Sequence, residues 1–132
     1  MERVFVDTGA WYAYINARDP DHFRVRGFLE SFTGSLVTST YVFDETVTLV
    51  LARLGHQRAV KVGNVLLDPR VVELVRIGPL DERSAWKLFQ ERPDKAYSFT
   101  DCTSFALMQR LDLRQALTLD DHFSQEGFEV VP

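Results

Sequence analysis

The chain has 132 residues, 45% of them apolar, with 15 Lys+Arg against 19 Asp+Glu, a formal net charge of −4 and a pI near 5.3. That length suits one domain over 1–132, with an apolar core that needs neither disulfides nor a structural metal. The single cysteine, Cys102, excludes an internal disulfide and a cysteine-rich zinc site, and the acidic balance excludes holding nucleic acid by positive charge alone.

The first element is the apolar run Val4-Phe5-Val6, a short strand that stops at Asp7. Thr8 to Ala17 follows as a helix, and Arg18-Asp19-Pro20-Asp21 is a loop signal. Asp21 is placed to cap a second helix through Phe32, and Ser35 to Ser39 has the β-branched character of a strand. Thr40 opens a long helix to Leu54, with Phe43, Val47, Val50, Leu51 and Leu54 at spacings of three and four; Gly55 ends it. His56 to Leu67 repeats the helical period and breaks at Asp68-Pro69. Val71 to Ile77 is a third strand, Asp81 to Arg92 a helix, and Thr100 to Leu111 another helix after the loop at Pro93. Ala116 to Leu119 is a strand, a helical turn follows, and Phe128 to Val131 closes the chain as a last strand.

Alternation of this kind predicts an α/β domain, a mostly parallel sheet with helices on both faces. The opening segment MERVFVDTGAW lacks the apolar stretch of a signal peptide, and no apolar run is long enough to span a bilayer. A soluble, cytoplasmic protein with no membrane association is therefore expected.

The acids carry the chemistry. Asp7 ends the first strand, Asp120 follows the strand Ala116–Leu119, Glu45 lies in the second turn of the helix after the second strand, and Asp101 lies at the start of a helix. In a parallel sheet these positions belong to one rim, where ligand sites form beyond the carboxyl ends of the strands. Converging carboxylates raise one another's pKa unless a cation neutralises them, and an all-oxygen set favours magnesium or manganese over zinc. Each acid also has a structural explanation. Ser98 with Asp101, and Thr118 with Asp121, match a capping pattern, Asp7 stands where it can cap the next helix, and Glu45 can lie on a solvated face beside Asp44.

Four blocks carry a family resemblance. VFVDTGAW resembles the opening of PIN domains, YVFDETVTLVLARLG the helix that bears their Glu, SFTDCTSFALM their third acidic motif, and ALTLDDHFSQEGFEVV their closing strand, fourth Asp and final strand. The blocks stand in the family's order and cover nearly the whole chain, and the last two resemble most closely the branch of VapC-type toxins. The resemblance implies a three-layer α/β/α fold and a magnesium- or manganese-dependent endoribonuclease. It implies, as partners, an RNA substrate, a small antitoxin protein and a second copy in a homodimer. By position it assigns Asp7, Glu45, Asp101 and Asp120 to the catalytic and metal site, with Asp7 and Asp101 as the most direct ligands. Because a helix turns about 100° per residue, only one of Glu45 and Asp44 can face the site. Asp120 is chosen over Asp121 because the family's Asp stands two before the His of an Asp-x-His-Phe pattern, here His122.

Other residues have two roles open. His122 is expected to pack or to bond within its turn; Ser98, Thr100 and Thr8 can cap helices or orient carboxylates; Lys95 can meet a phosphate or stay solvated. Trp11, Tyr12 and Tyr14 can stack on bases, although their helical spacing points to core or dimer contacts. Arg24, Arg26, Arg53 and Arg58 are scattered cations that could track RNA. Apolar residues beyond one face's needs between Thr40 and Leu67, Val42 and Leu49 among them, suggest a groove for an amphipathic antitoxin helix. The competing readings are a DNase, a PIN-fold binding module without strong catalysis, a receiver domain and a haloacid-type phosphatase. Thr8-Gly9 after Asp7 lacks the paired acids that the last two require.

Overall fold

Strand β1 (Arg3–Val6) shows why the centre of this fold is where it is: Val4, Phe5 and Val6 are all completely buried, as a strand covered on both faces must be. In the computed structural model, which describes residues 2–132, β1 lies between β2 (Ser35–Ser39) and β4 (Gln115–Leu117). The edges are β3 (Glu73–Val75) and β5 (Glu129–Val131), giving the order β3-β2-β1-β4-β5 with every pairing parallel. Both edge strands are short and carry an exposed Glu, which discourages pairing with another chain.

The chain steps outward from β1 to β2 to β3, then returns to β4 on the far side of β1. Right-handed crossovers therefore put the helices of the first half on one face and those of the second half on the other. The first set is α1 (Thr8–Ile15), α2 (His22–Ser31), α3 (Thr40–Leu54) and α4 (His56–Leu66), with α3 packed on α1 and α4. The second is α5 (Pro79–Glu91), α6 (Phe99–Arg110) and the short α7 (His122–Gln125), with α5 and α7 both against α6. The three-layer α/β/α expectation holds, and the reversal of strand order opens a crevice between the carboxyl ends of β1 and β4.

Most element bounds differ from the sequence reading by one or two residues, with local causes. Helix α1 stops at Ile15 rather than Ala17, because Asn16 turns out to extended backbone and its Oδ1 takes the Arg18 N–H. Asp21 stands at the start of α2 without capping it; its carboxylate pairs with Arg24 instead. Helix α5 starts at Pro79, whose missing N–H is no loss in a first turn. Strand β3 is shorter than 71–77: the Val71 N–H is spent on Asp68 in a turn, and the Ile77 N–H on Thr40 Oγ1. Gly55 supplies the φ of +94° that joins α3 to α4.

Helix α6 is the buried helix. From Asp101 to Met108 every residue is buried, so an acid one turn into it is held inside the protein. Phe105 packs edge-on against Phe123 at 4.9 Å and stacks on Phe128 at 5.7 Å, tying α6 to the last turn and strand. Asp81 of α5 accepts two bonds from Arg110, both 2.8 Å, which lock α5 to α6. Among the described residues no helix is long and apolar enough to cross a membrane.

Candidate active site

Asp7 is the residue immediately after β1, and its backbone N–H donates to the Leu117 carbonyl of β4 at 3.1 Å. The carboxylate is thereby fixed at the reversal point of the sheet and is buried, 5% exposed. Its side chain does not cap α1. Instead Thr118 Oγ1 donates to Asp7 Oδ2 at 3.1 Å, and the Thr8 N–H also supports it. Burial first, then the charges of Asp101 and Asp120, push the Asp7 carboxyl up from 3.8 to about 7, against the two hydrogen bonds. Thr8 Oγ1, next to it, is buried without a partner.

Asp101 occupies the third position of α6 and forms a reciprocal capping box. Ser98 Oγ takes the Asp101 N–H at 2.9 Å, and Asp101 Oδ2 takes the Ser98 N–H at 3.0 Å. The capping reading of Asp101 holds, and the same box fixes the carboxylate that His122 Nδ1 meets at 2.9 Å.

Asp120 is not at the end of a strand. Strand β4 stops at Leu117, whose partners Val6 and Val131 are the last paired residues of β1 and β5, and Asp120 lies three residues on in the loop before α7. Its N–H donates to Thr118 Oγ1 at 3.4 Å, so the Thr118 hydroxyl connects the Asp7 carboxylate to the Asp120 backbone. Asp120 Oδ1 accepts the His122 N–H at 2.9 Å, which confines the carboxylate to the inner side of the turn. The neighbouring Asp121 precedes α7 without a capping bond.

Ligand atoms of Asp101, Asp120 and His122 lie within 4.8 Å of one another. Asp7 joins this group through Thr118 and through its repulsion with both acids. Glu45 does not belong to that close group: it lies in the second turn of α3 and is half-buried, whereas Asp44 is exposed. Among the described residues no Lys or Arg pairs with Asp7, Glu45, Asp101 or Asp120. The Lys and Arg ion pairs of the described residues fall on other acids, and the basic side chain that meets this cluster is His122.

The structure also decides the places of Trp11, Val42 and Thr118. Trp11 is 1% exposed with its indole N–H directed to Thr38 Oγ1 at 3.4 Å, so it is a core residue and not a stacking platform. Val42 is fully buried; the exposed apolar residues of this half are Phe23, Leu51, Val60, Leu67 and Val71. Thr118, absent from the sequence-based site, is the hydroxyl that holds Asp7. The sequence marks it by a capping pattern with Asp121, whereas its hydroxyl meets Asp7 Oδ2 and the Asp120 N–H.

Known proteins match this chain over most of its length. The PIN domain profile matches residues 4–129. The chain is 36% identical over 130 residues, 98% of each protein, to the 23S rRNA-specific endonuclease VapC20 of Mycobacterium tuberculosis. It is 32% identical over 122 residues, 92% of this chain and 90% of the relative, to the ribonuclease VapC26 of the same organism. The crystal structure of M. tuberculosis VapC20, described as a sarcin-ricin loop cleaving toxin, superposes with a TM-score of 0.91 at 34% identity, covering 95% of each chain. FitAcB from Neisseria gonorrhoeae shares the fold with a TM-score of 0.73 at 14% identity, over 98% of this chain and 96% of that one.

Proposed function

Because the chain belongs to the PIN-domain family, in its VapC branch of ribonucleases, we propose that it hydrolyses RNA with a magnesium or manganese ion held by Asp7, Asp101, Asp120 and Glu45. One observation carries the metal reading: a buried carboxylate at the reversal point of the sheet is raised to about 7 by burial and by two more acids, and among the described residues no Lys or Arg pairs with them. Such a set is poorly stable as it stands and well matched to a hard cation. The orphan Thr8 hydroxyl fits the same reading, since a hydrated cation brings hydrogen-bonding partners into the crevice.

When bound, the cation supplies Lewis acidity: it polarises the phosphodiester, acidifies a water and stabilises the leaving oxygen. The protein's own part is placement. Thr118 orients Asp7, the Ser98 box fixes Asp101, and the turn at His122 fixes Asp120. A protein nucleophile has no role in this scheme. The Cys102 thiol is fully buried, and burial followed by the Asp101 charge pushes it up to about 11.

The relatives suggest the substrate and partners. Similarity to a 23S rRNA-specific endonuclease over nearly the whole chain makes a loop of large-subunit rRNA the first substrate to test. FitAcB and a toxin–antitoxin complex from Klebsiella pneumoniae share the fold, which suits a toxin with a small antitoxin partner. The exposed apolar residues of α2 to α4 and the turn after α4 offer that partner a surface, and Leu80, Trp86 and Phe89 of α5 offer one to a second copy. In this reading residues 1–132 act as one catalytic unit in the cytoplasm. A binding module without catalysis is disfavoured, because all four acids of the family pattern are present. The decisive assay compares cleavage of RNA and DNA of equal sequence with magnesium, with manganese and with chelator. RNA-selective cleavage abolished by chelator supports the proposal; cleavage that persists in chelator, or DNA cut as fast as RNA, refutes it.

A further inference from the structure

His122 contacts two of the acidic side chains by two different groups. Its main-chain N–H donates to Asp120 Oδ1 at 2.9 Å, and its ring Nδ1 stands 2.9 Å from Asp101 Oδ2. The next distance, from Nδ1 to Asp120 Oδ2, is 3.9 Å, too long for a hydrogen bond. An ionised carboxylate only accepts, so the ring nitrogen facing Asp101 is the one that carries hydrogen. Asp101 Oδ2 also accepts the Ser98 N–H at 3.0 Å, and with both bonds its lone pairs are used. Both of these donors are on Oδ2, and among the described residues none meets its partner oxygen Oδ1.

The imidazole is itself held from outside the cluster. The Tyr97 ring meets it edge-on, 5.5 Å between centroids at 65°, and the Tyr97 hydroxyl donates to Glu126 Oε1 at 3.1 Å. Arg92 clamps the same Glu126 carboxylate through Nε at 3.1 Å and Nη2 at 3.0 Å. A chain of contacts thus runs from Arg92 through Glu126, Tyr97 and His122 to Asp101, drawing on the loop before α6, on α6 and on α7.

We propose that His122 is a positioning residue: its ring N–H and main-chain N–H each hold one oxygen of Asp101 and of Asp120, so that the other oxygen of each meets the cation. This rests on the metal reading above. Partners of ligating groups fix ligand orientation, and losing one typically weakens metal affinity by about 10–100-fold. Mn2+ affinity of the full-length protein, measured by calorimetry and electron paramagnetic resonance without RNA, tests it. His122→Ala should raise the Mn2+ Kd by roughly 10-fold or more, and so should His122→Gln, whose amide lies one carbon too far out. His122→Asn puts an amide N–H where Nδ1 stands and should restore the Kd to within about threefold of wild type, because the outer hydrogen bond is kept. Should the Ala variant not fold, the Gln and Asn pair decides alone. Asp101→Asn is the control: if it binds Mn2+ like wild type, the metal reading itself fails. If Asp101→Asn loses Mn2+ while His122→Gln keeps it, or if His122→Asn is as weak as His122→Gln, the positioning role is overturned. A directly coordinated imidazole nitrogen in the wild-type Mn2+ spectrum would overturn it too, by making His122 a ligand.

Discussion

Replacing Asp7 by Asn should make the metal-free protein more stable while destroying its activity. The Asp7 carboxyl is buried and raised from 3.8 to about 7, so its ionised form is disfavoured inside the fold. The sign follows from proton linkage: between those two values the folded state binds the proton more tightly than the unfolded chain, so stability falls as pH rises. At 1.36 kcal/mol per pH unit of displacement, the full penalty is ~4 kcal/mol at pH 8 and roughly 2 kcal/mol at pH 5. Asn keeps the size and can still accept the Thr118 hydroxyl, but it carries no charge. Urea denaturation in chelator should therefore show Asp7→Asn more stable than wild type at pH 8, by up to ~4 kcal/mol, with the gap shrinking by about half at pH 5. Adding Mn2+ at 100 times its Kd should recover ~2.7 kcal/mol in wild type and much less in the variant. Equal stabilities at pH 8 in chelator, or a gap that widens toward pH 5, would refute the assignment of a raised, buried Asp7.

Glu45→Gln and Asp120→Asn should each slow RNA cleavage by at least ~100-fold in a gel assay, since several kcal/mol of transition-state stabilisation depends on the charge. Asp44→Asn and Asp121→Asn should leave the rate nearly unchanged, and reversed effects within either pair would show the register to be wrong. Thr118→Val removes the hydroxyl that donates to Asp7 and should raise the Asp7 pKa further, moving the metal-dependent rate to higher pH in a pH–rate profile. Arg110→Met leaves the buried Asp81 without its partner, and thermal or urea unfolding should show a loss of ~1–3 kcal/mol, with cleavage preserved under native conditions.

Legibility in the sequence followed the range of the interactions. Strand β1 announced itself because an apolar run stops at a charge, and the helix boundary at Gly55 because only a glycine suits its backbone there. Asp7, Asp101, Asp120 and Glu45 could be assigned by their places after strands and within helices, and by family pattern. Their support could not be. Thr118 reaches Asp7 across 111 residues and His122 reaches Asp101 across 21, so nothing local marks either bond. Leu119 continues the apolar run of β4, which makes the strand look two residues longer than the backbone pairing allows. Trp11 was legible by contrast: its helical spacing pointed to core or dimer contacts, and burial with the Thr38 contact decides for the core.

In the proposed site Asp7, Asp101 and Asp120 converge on one divalent cation. Anomalous diffraction from crystals of the active protein soaked in Mn2+ tests it most directly. A Mn2+ peak bonded to Asp7 and to the free oxygens of Asp101 and Asp120 is expected, lost in Asp7→Asn crystals. Mn2+ bound elsewhere, with these three carboxylates empty in a protein that still cleaves RNA, would contradict it.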